Sequence, residues 1–441
     1  MNGLDRIREA AARDRNQRFT SLMHHITKER LSQSYHALKR NAAAGIDEVT
    51  WCQYGEGLEE RLADLLVRVQ SGRYRAKPSK RIWIPKSDGR DRPIGIAVLE
   101  DKIVQQAVVS ILSQIYEVDF LGFSYGFRPN RSPHSALDAV FVGITQRKIG
   151  WVLDADIKSF FDTINHAWMR KFLEHRIADP RMLRLIDKWL RAGVSEDGQW
   201  SRADVGVPQG SVISPLLSNI YLHYVLDVWV QAWRKRKAQG EVIIVRFADD
   251  FVAGFQYQHE AQMFLEEMKQ RFAHFGLEIH SDKTRLIEFG RFAQSNRTKR
   301  GGGKPETFDF LGFTHICGQT RKDKRFTVHR KTSAKKLRAK IKDIRIELKR
   351  RRHEPVPILG RWLRSVVMGH FNYFAVPGNK KAVDTFRTEV NKAWFASLRR
   401  RSQKARSLTW DRINRLIKTW IPTAKIKHPY PNQRLRVSHP R

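Results

Sequence analysis

The chain has 441 residues, 41% of them hydrophobic and 10% aromatic, which is enough to bury two or three domain cores. Lys and Arg outnumber Asp and Glu 82 to 45, a net charge of +37, and residues 321–441 alone hold 35 basic against 7 acidic residues, or +28. No run approaches the ~18 apolar residues of a membrane span, no apolar stretch follows the charged N-terminus, and the isolated Cys52 and Cys317 exclude a disulfide framework and a Cys/His zinc module.

A basic excess of this density repels itself unless a polyanion is present, so nucleic acid is the expected partner and a membrane surface the weaker one. In chain order, residues 5–40 are expected to be helical, Asn41–Asp47 breaks the pattern, and Leu58 to Val69 reads as an amphipathic helix. Residues Ser79–Ile96, SKRIWIPKSDGRDRPIGI, alternate apolar and polar around a Ser-Asp-Gly turn and predict a β-hairpin. Its tip carries Lys86, Arg90 and Arg92, which either project towards a phosphate or are simply solvated. Asp101 to Glu117 has helical spacing, and Tyr125–Arg131 is a turn before a helix that starts near Ser132 or Ser135.

Trp151 to Leu153 begin a strand, and Asp154 and Asp156, two apart, share one face of it. Acids on an otherwise apolar strand are costly to bury unpaired. In Val205–Leu222, Gly206, Pro208 and Gly210 specify a tight turn, and Ser214-Pro215 fits an N-cap followed by proline. Val242–Phe255 then gives two short apolar runs around the adjacent acids Asp249 and Asp250, a buried hairpin with both acids at its turn. A solvated acidic turn is the alternative, but Asp156 supplies a second acid position. Together the three acids suit two Mg²⁺ ions, which clamp the attacking and leaving oxygens of a phosphoryl displacement. Beyond Gly301–Gly303, helical periods run from Thr332 to Arg352, Ile358 to Phe374, Lys381 to Arg401 and Trp410 to Trp420.

Seven blocks, IPKSDGRDRPIGI, SYGFRPNRSPHSAL, LDADIKSFFDTINH, VGVPQGSVISPLLSNIYL, VRFADDF, GLEIHSDKT and FDFLGFT, occur in that order over residues 80 to 315. In them the chain resembles the group II intron-encoded reverse transcriptases, the bacterial maturase family. The resemblance implies an α+β right-hand polymerase. Its parts would be an N-terminal extension and start of the fingers (1–78), fingers and palm with an antiparallel sheet and helices (79–325), and a basic helical thumb, or domain X, with the C-terminal tail (326–441). It implies an RNA-directed DNA polymerase that makes complementary DNA and assists splicing and mobility of its intron RNA. A domesticated enzyme of defence or repair and a non-catalytic splicing cofactor stay open as alternatives.

By the same resemblance, Asp156, Asp249 and Asp250 would be the catalytic metal acids, with the Ile157 backbone carbonyl as a further ligand. Two Mg²⁺ ions would be the cofactors, with Mn²⁺ able to substitute. Lys86 and Arg92 would neutralise the dNTP triphosphate, and Phe161 would reject a ribose 2′-hydroxyl, although Phe160 beside it competes for that role. Gln209 would line the nucleotide pocket, and Lys283 would serve near the triphosphate as a general acid, a surface lysine being the alternative. Asp154 reads as structural. The implied partners are structured intron RNA, an RNA template with a DNA primer, and dNTPs, in the bacterial cytoplasm or nucleoid. No membrane is implied, and monomer and dimer both stay open. The HNH endonuclease with paired cysteines, found in many members, is expected to be absent.

Overall fold

Every second residue of Trp151–Asp156 is apolar towards one side, and the structure turns this alternation into the centre of the molecule. The computed structural model describes residues 3–85, 91–196, 199–201 and 205–438. Lys86 and Arg90, at the tip expected of the first hairpin, lie outside them. Strands β1 (Ser79–Pro85) and β2 (Asp91–Ile96) form that hairpin, with Ile84 opposite Arg92. Strand β3 (Trp151–Asp156) follows, then the short pair β4 (Val194–Glu196) and β5 (Gln199–Ser201). β4 joins β1 in parallel, so the fingers sheet has the order β2-β1-β4-β5.

The palm sheet has the order β6-β7-β3-β8, with β6 (Val242–Phe247), β7 (Asp250–Phe255) and β8 (Arg285–Glu288), and every pairing is antiparallel. One of its faces carries Leu153, Ala155, Phe251, Ala253 and Phe255 into a core shared with the helices Leu99–Asp119, Ser214–Leu222 and Gln258–His274. The other carries Val152, Val245 and Val252 against the helix Pro133–Gln146. Both faces are covered, which is why the strands read as near-continuous apolar runs. Each fully buried Phe here, such as Phe251 and Phe255, contributes about 2–3 kcal/mol.

A third sheet, β11-β10-β9, is built from β9 (Phe308–Phe310), β10 (Phe313–Gln319) and β11 (Phe326–Thr332). Beyond it the helices Ala334–Arg350, Val356–Phe374, Lys380–Arg399 and Trp410–Trp420 enclose their own core around Leu363, Phe371, Phe386 and Trp394. This unit is the expected thumb. It is fixed to the palm side where Tyr373 Oη donates to Leu311 O (2.8 Å) and where Asn379 brackets Thr332, accepting from its N–H and donating to its hydroxyl.

Three expectations shift. The 5–40 stretch is not one helix: it stops at Arg13 and resumes at Lys28. Between these points the Asp179 carboxylate accepts the N–H groups of Leu22 (2.7 Å) and Met23 (3.1 Å), and Phe19 exchanges backbone hydrogen bonds with Arg176 and Ala178. Further on, Leu31, Leu62 and Leu65 join the same apolar cluster as Ile103 and Ile111. The helical unit begins at Ala334 rather than 326, since β11 pairs along its length with β10. Ser214 is the first helical residue rather than the cap, and its hydroxyl donates to Pro208 O (2.8 Å), tying the helix back onto the preceding turn. Among the described residues, no helix is long and apolar enough to cross a membrane.

Candidate active site

Strands β6 and β7 are joined by only Ala248 and Asp249, with Phe247 paired to Asp250. Ala248 takes the left-handed φ of 58° that such a two-residue connection needs. The β3–β7 register sets Asp156 directly opposite Asp250, so the two acids share a face at one end of the palm sheet. Asp156, Asp249 and Asp250 are all half-buried. Burial pushes Asp250 up to about 8, and repulsion from Asp154, Asp249 and Asp156 adds to it. Asp249 is raised by burial and then by Asp156. Asp154 is pushed up to about 6 by burial against a loose Arg285 partner at 3.8 Å. It also stands first among the carboxylates that raise Asp250, so it is coupled to the site electrostatically.

The ammonium of Lys283 lies 2.5 Å from the Asp156 carboxylate. Among the described residues no three His, Cys, Asp or Glu side chains converge into a preformed metal cage. The donor set nevertheless fits a hard divalent cation: all oxygen, mutually repelling, and relieved by added positive charge. Ile157 follows Asp156 between two backbone bonds, Asp156 O accepting from His280 N (2.9 Å) and Lys158 N donating to Glu278 O (2.8 Å).

These acids make stability pH-dependent. A carboxyl raised from 3.8 to about 8 keeps its proton in the folded chain when the unfolded chain has already lost it. The folded state therefore loses stability as pH rises through that window. The melting temperature of metal-free protein is expected to fall between about pH 4 and about pH 8 and to level off above. Asp250→Asn should flatten the fall, and a divalent cation should reverse it. A wild-type slope in the Asn variant would show that Asp250 is not the group responsible.

The residues expected to line a nucleotide pocket gather nearby. Arg92 Nε donates to Gln209 Oε1 (2.7 Å), and Gln209 Nε2 reaches Asp162 Oδ1 (3.4 Å). Phe161 and Gln209 line a cleft of about 350 Å³ together with Arg81, Pro93, Asp162 and Pro208, while the three acids lie outside its lining. Arg92 acts on Asp249 as a favourable positive charge, which links the cleft to the acids. Phe160 is buried against Tyr221 and Phe161 is half-exposed, so only the second ring faces the cleft. The turn beneath is held by Gln105, whose side-chain oxygen accepts from Ser211 Oγ (2.7 Å) and Val212 N (3.0 Å). Gly210, at φ 108°, is required there, because a Cβ would sit 2.8 Å from Gly95 O. Lys86 lies outside the described residues.

Sequence reasoning missed the support of the acidic turn. Arg246 is fully buried and forks onto the equally buried Asp227 (2.8 and 2.5 Å). Its remaining nitrogen donates to Asn219 Oδ1 and to Ala248 O, both at 3.0 Å. Asp227 ends a single π-helical turn, His223–Asp227, a local widening that breaks the register of the surrounding helix. The available signal was a lone charge inside the apolar run Val242–Phe247. Lys336, at the start of the thumb, was missed as well; its charge bears favourably on Asp250.

Comparison with known proteins gives the family. Over 182 residues the chain is 42% identical to protein YkfC of Escherichia coli, covering 41% of this chain and 48% of that protein. It is 40% identical over 169 residues to the group II intron-encoded protein LtrA of Lactococcus lactis, covering 37% of this chain and 27% of that protein. A 91 kDa protein of the cob intron of Schizosaccharomyces pombe is 38% identical over 177 residues, covering 40% and 22%. The chain thus spans about half the length, or less, of these curated relatives. A solved telomerase from Candida albicans, in complex with a fragment of telomeric RNA, is a distant likeness at TM-score 0.43 and 13% identity, over 84% of this chain and 65% of that one. The family model for reverse transcriptase (RNA-dependent DNA polymerase) matches residues 84–315, more than half of the sequence, and the chain belongs to that family.

Proposed function

We propose that this chain is an RNA-directed DNA polymerase that copies an RNA template into complementary DNA from a DNA primer. The observation that carries the reading is Asp156 set opposite Asp250 with Asp249 on the adjoining turn, beside a cleft lined by Phe161 and Gln209. Reverse transcriptases use divalent metal ions. Two Mg²⁺ ions, held by Asp156, the Ile157 carbonyl, Asp249 and Asp250, would stabilise charge on the attacking and leaving oxygens. In the reaction the primer 3′-hydroxyl loses its proton to water as its oxygen bonds to the α-phosphorus of a dNTP, the bond from that phosphorus to the α,β-bridging oxygen breaks, and pyrophosphate leaves. Arg92 and Lys86 neutralise the triphosphate, and Gln209 orients the nucleotide through its bond to Arg92. Lys283, freed from Asp156, gives a proton to the leaving pyrophosphate.

The same reading makes the protein the maturase of a group II intron RNA, working in the bacterial cytoplasm or nucleoid. The +28 charge of residues 321–441, most of them in the thumb helices, supports a long phosphate-contacting surface, and LtrA is by name group II intron-encoded. The test is extension of a DNA primer on an RNA template by purified protein with dNTPs and Mg²⁺. Extension that stops on chelation supports the reading; salt-sensitive RNA binding with no extension overturns it in favour of a splicing cofactor.

Phe161 gives a sharper expectation. Its half-exposed ring borders the cleft, where a ribose 2′-hydroxyl would meet it. Phe161→Ala should therefore raise ribonucleotide incorporation about 100-fold relative to dNTP, since a shape-based barrier of this kind discriminates by roughly that factor. Incorporation ratios from competing rNTP and dNTP would check it. An unchanged ratio would return Phe161 to a packing role.

A further inference from the structure

Phe127 stands out among the residues that the proposed reaction leaves unused. Its backbone is left-handed, at φ 58°, a conformation that a bulky side chain rarely adopts. The residue is 56% exposed, so burial does not repay that strain. The conformation is imposed from both sides. Tyr125 N donates to Arg246 O (2.8 Å), and Asn219 Nδ2 donates to Gly126 O (2.8 Å). A Cβ on Gly126 would lie 2.2 Å from Ala248 N, so this backbone rests on the acidic turn itself. On the other side the buried Arg128 is pinned to Leu121 O, Ser124 O and Glu117.

The backbone that carries the ring is therefore held in place, and its position is informative. The ring packs on Phe247, 6.5 Å between centroids, and Phe247 is the ladder partner of Asp250. Opposed residues of an antiparallel pair share a face, so Phe127 extends the face that bears Asp250 and Asp156. A primer whose 3′-oxygen reaches those acids has to run along this surface. Strain held in place beside a reacting centre marks function rather than folding.

We propose that Phe127 is a primer-positioning residue, its ring lying against the sugar and base of the primer's terminal nucleotides. The contact is apolar and independent of base identity, as aromatic contacts to nucleic acid generally are. The inference rests on the polymerase reading.

The test compares the full-length wild type with Phe127→Ala, Phe127→Gly and Phe127→Tyr. Binding is read by anisotropy of a labelled DNA primer annealed to an RNA template, and by the template alone. Extension is read as KM for primer–template against kcat, with KM for dNTP as a control. Ala and Gly are expected to weaken hybrid binding and raise the primer–template KM about tenfold, leaving template-only binding and the dNTP KM unchanged. Tyr should restore both. Gly should melt no lower than Ala, because it relieves the positive φ, so the loss of affinity is not a loss of fold. Wild-type hybrid affinity in Ala and Gly overturns the proposal, and so does an equal loss of affinity for template alone. A wild type that binds hybrid through Phe127 but extends nothing would fail the polymerase reading while supporting the contact.

Discussion

Asp249→Asn is expected to lower primer extension roughly a thousandfold or more while leaving the fold intact, and Asp250→Asn to do the same. Asparagine keeps the shape and hydrogen-bonding capacity of the side chain and removes only the ionised oxygen. The turn should survive, because the Ala248 conformation is held by the Arg246 bond to Ala248 O (3.0 Å) and by the β6–β7 ladder rather than by the acids. The acids are a stability burden: Asp249 and Asp250 are both raised by burial and by neighbouring carboxylates. Losing one of these carboxyls should therefore leave the metal-free protein at least as stable as wild type at neutral pH and in alkali. Activity and stability move in opposite directions, which a merely structural role for these acids does not produce. The assay is single-turnover extension at saturating dNTP beside a thermal melt of each variant. Extension within tenfold of wild type for either Asn variant would remove that acid from the reaction.

The legible part of this molecule is what local periodicity and turn chemistry decide. The β6–β7 hairpin, the 151–156 strand and the four thumb helices follow from apolar spacing, and the observed ends lie within a few residues of the expected ones. The side on which a residue faces is less accessible when the element is short. In the single turn Phe160–Thr163 either ring could meet the core, and only the position of Tyr221 decides that Phe160 does. Beyond the acids that a shared metal would gather, long-range partners are not legible. The break after Arg13 is fixed by Asp179, 157 residues from Leu22, and Lys283 reaches Asp156 across 127 residues. Lys283 could be named through family resemblance, but its contact with Asp156 depends on how β8 and β3 are brought together.

The Arg246–Asp227 pair is where this limit has the largest consequence, and Arg246→Met is expected to destabilise the protein by about 3–5 kcal/mol. Both side chains are fully buried, so removing the guanidinium strands a carboxylate in the core with no solvent to take its charge. Asp227→Leu should cost a similar amount through the stranded arginine. Together, Arg246→Met and Asp227→Leu replace two charges by apolar groups of comparable bulk, and most of the lost stability should return. Activity should not return with it. Arg246 also donates to Ala248 O and Asn219 Oδ1, and methionine can make neither bond. Ala248 is the residue before Asp249, so a turn without that donor no longer sets the acid against Asp156 and Asp250. Denaturant unfolding and primer extension on the two single variants and the double variant separate the roles. A double variant that recovers stability yet extends poorly makes Arg246 a positioning residue for the acidic turn. One that recovers both would mean that the pair acts through stability alone, and that the β6–β7 ladder suffices to hold the acids in place.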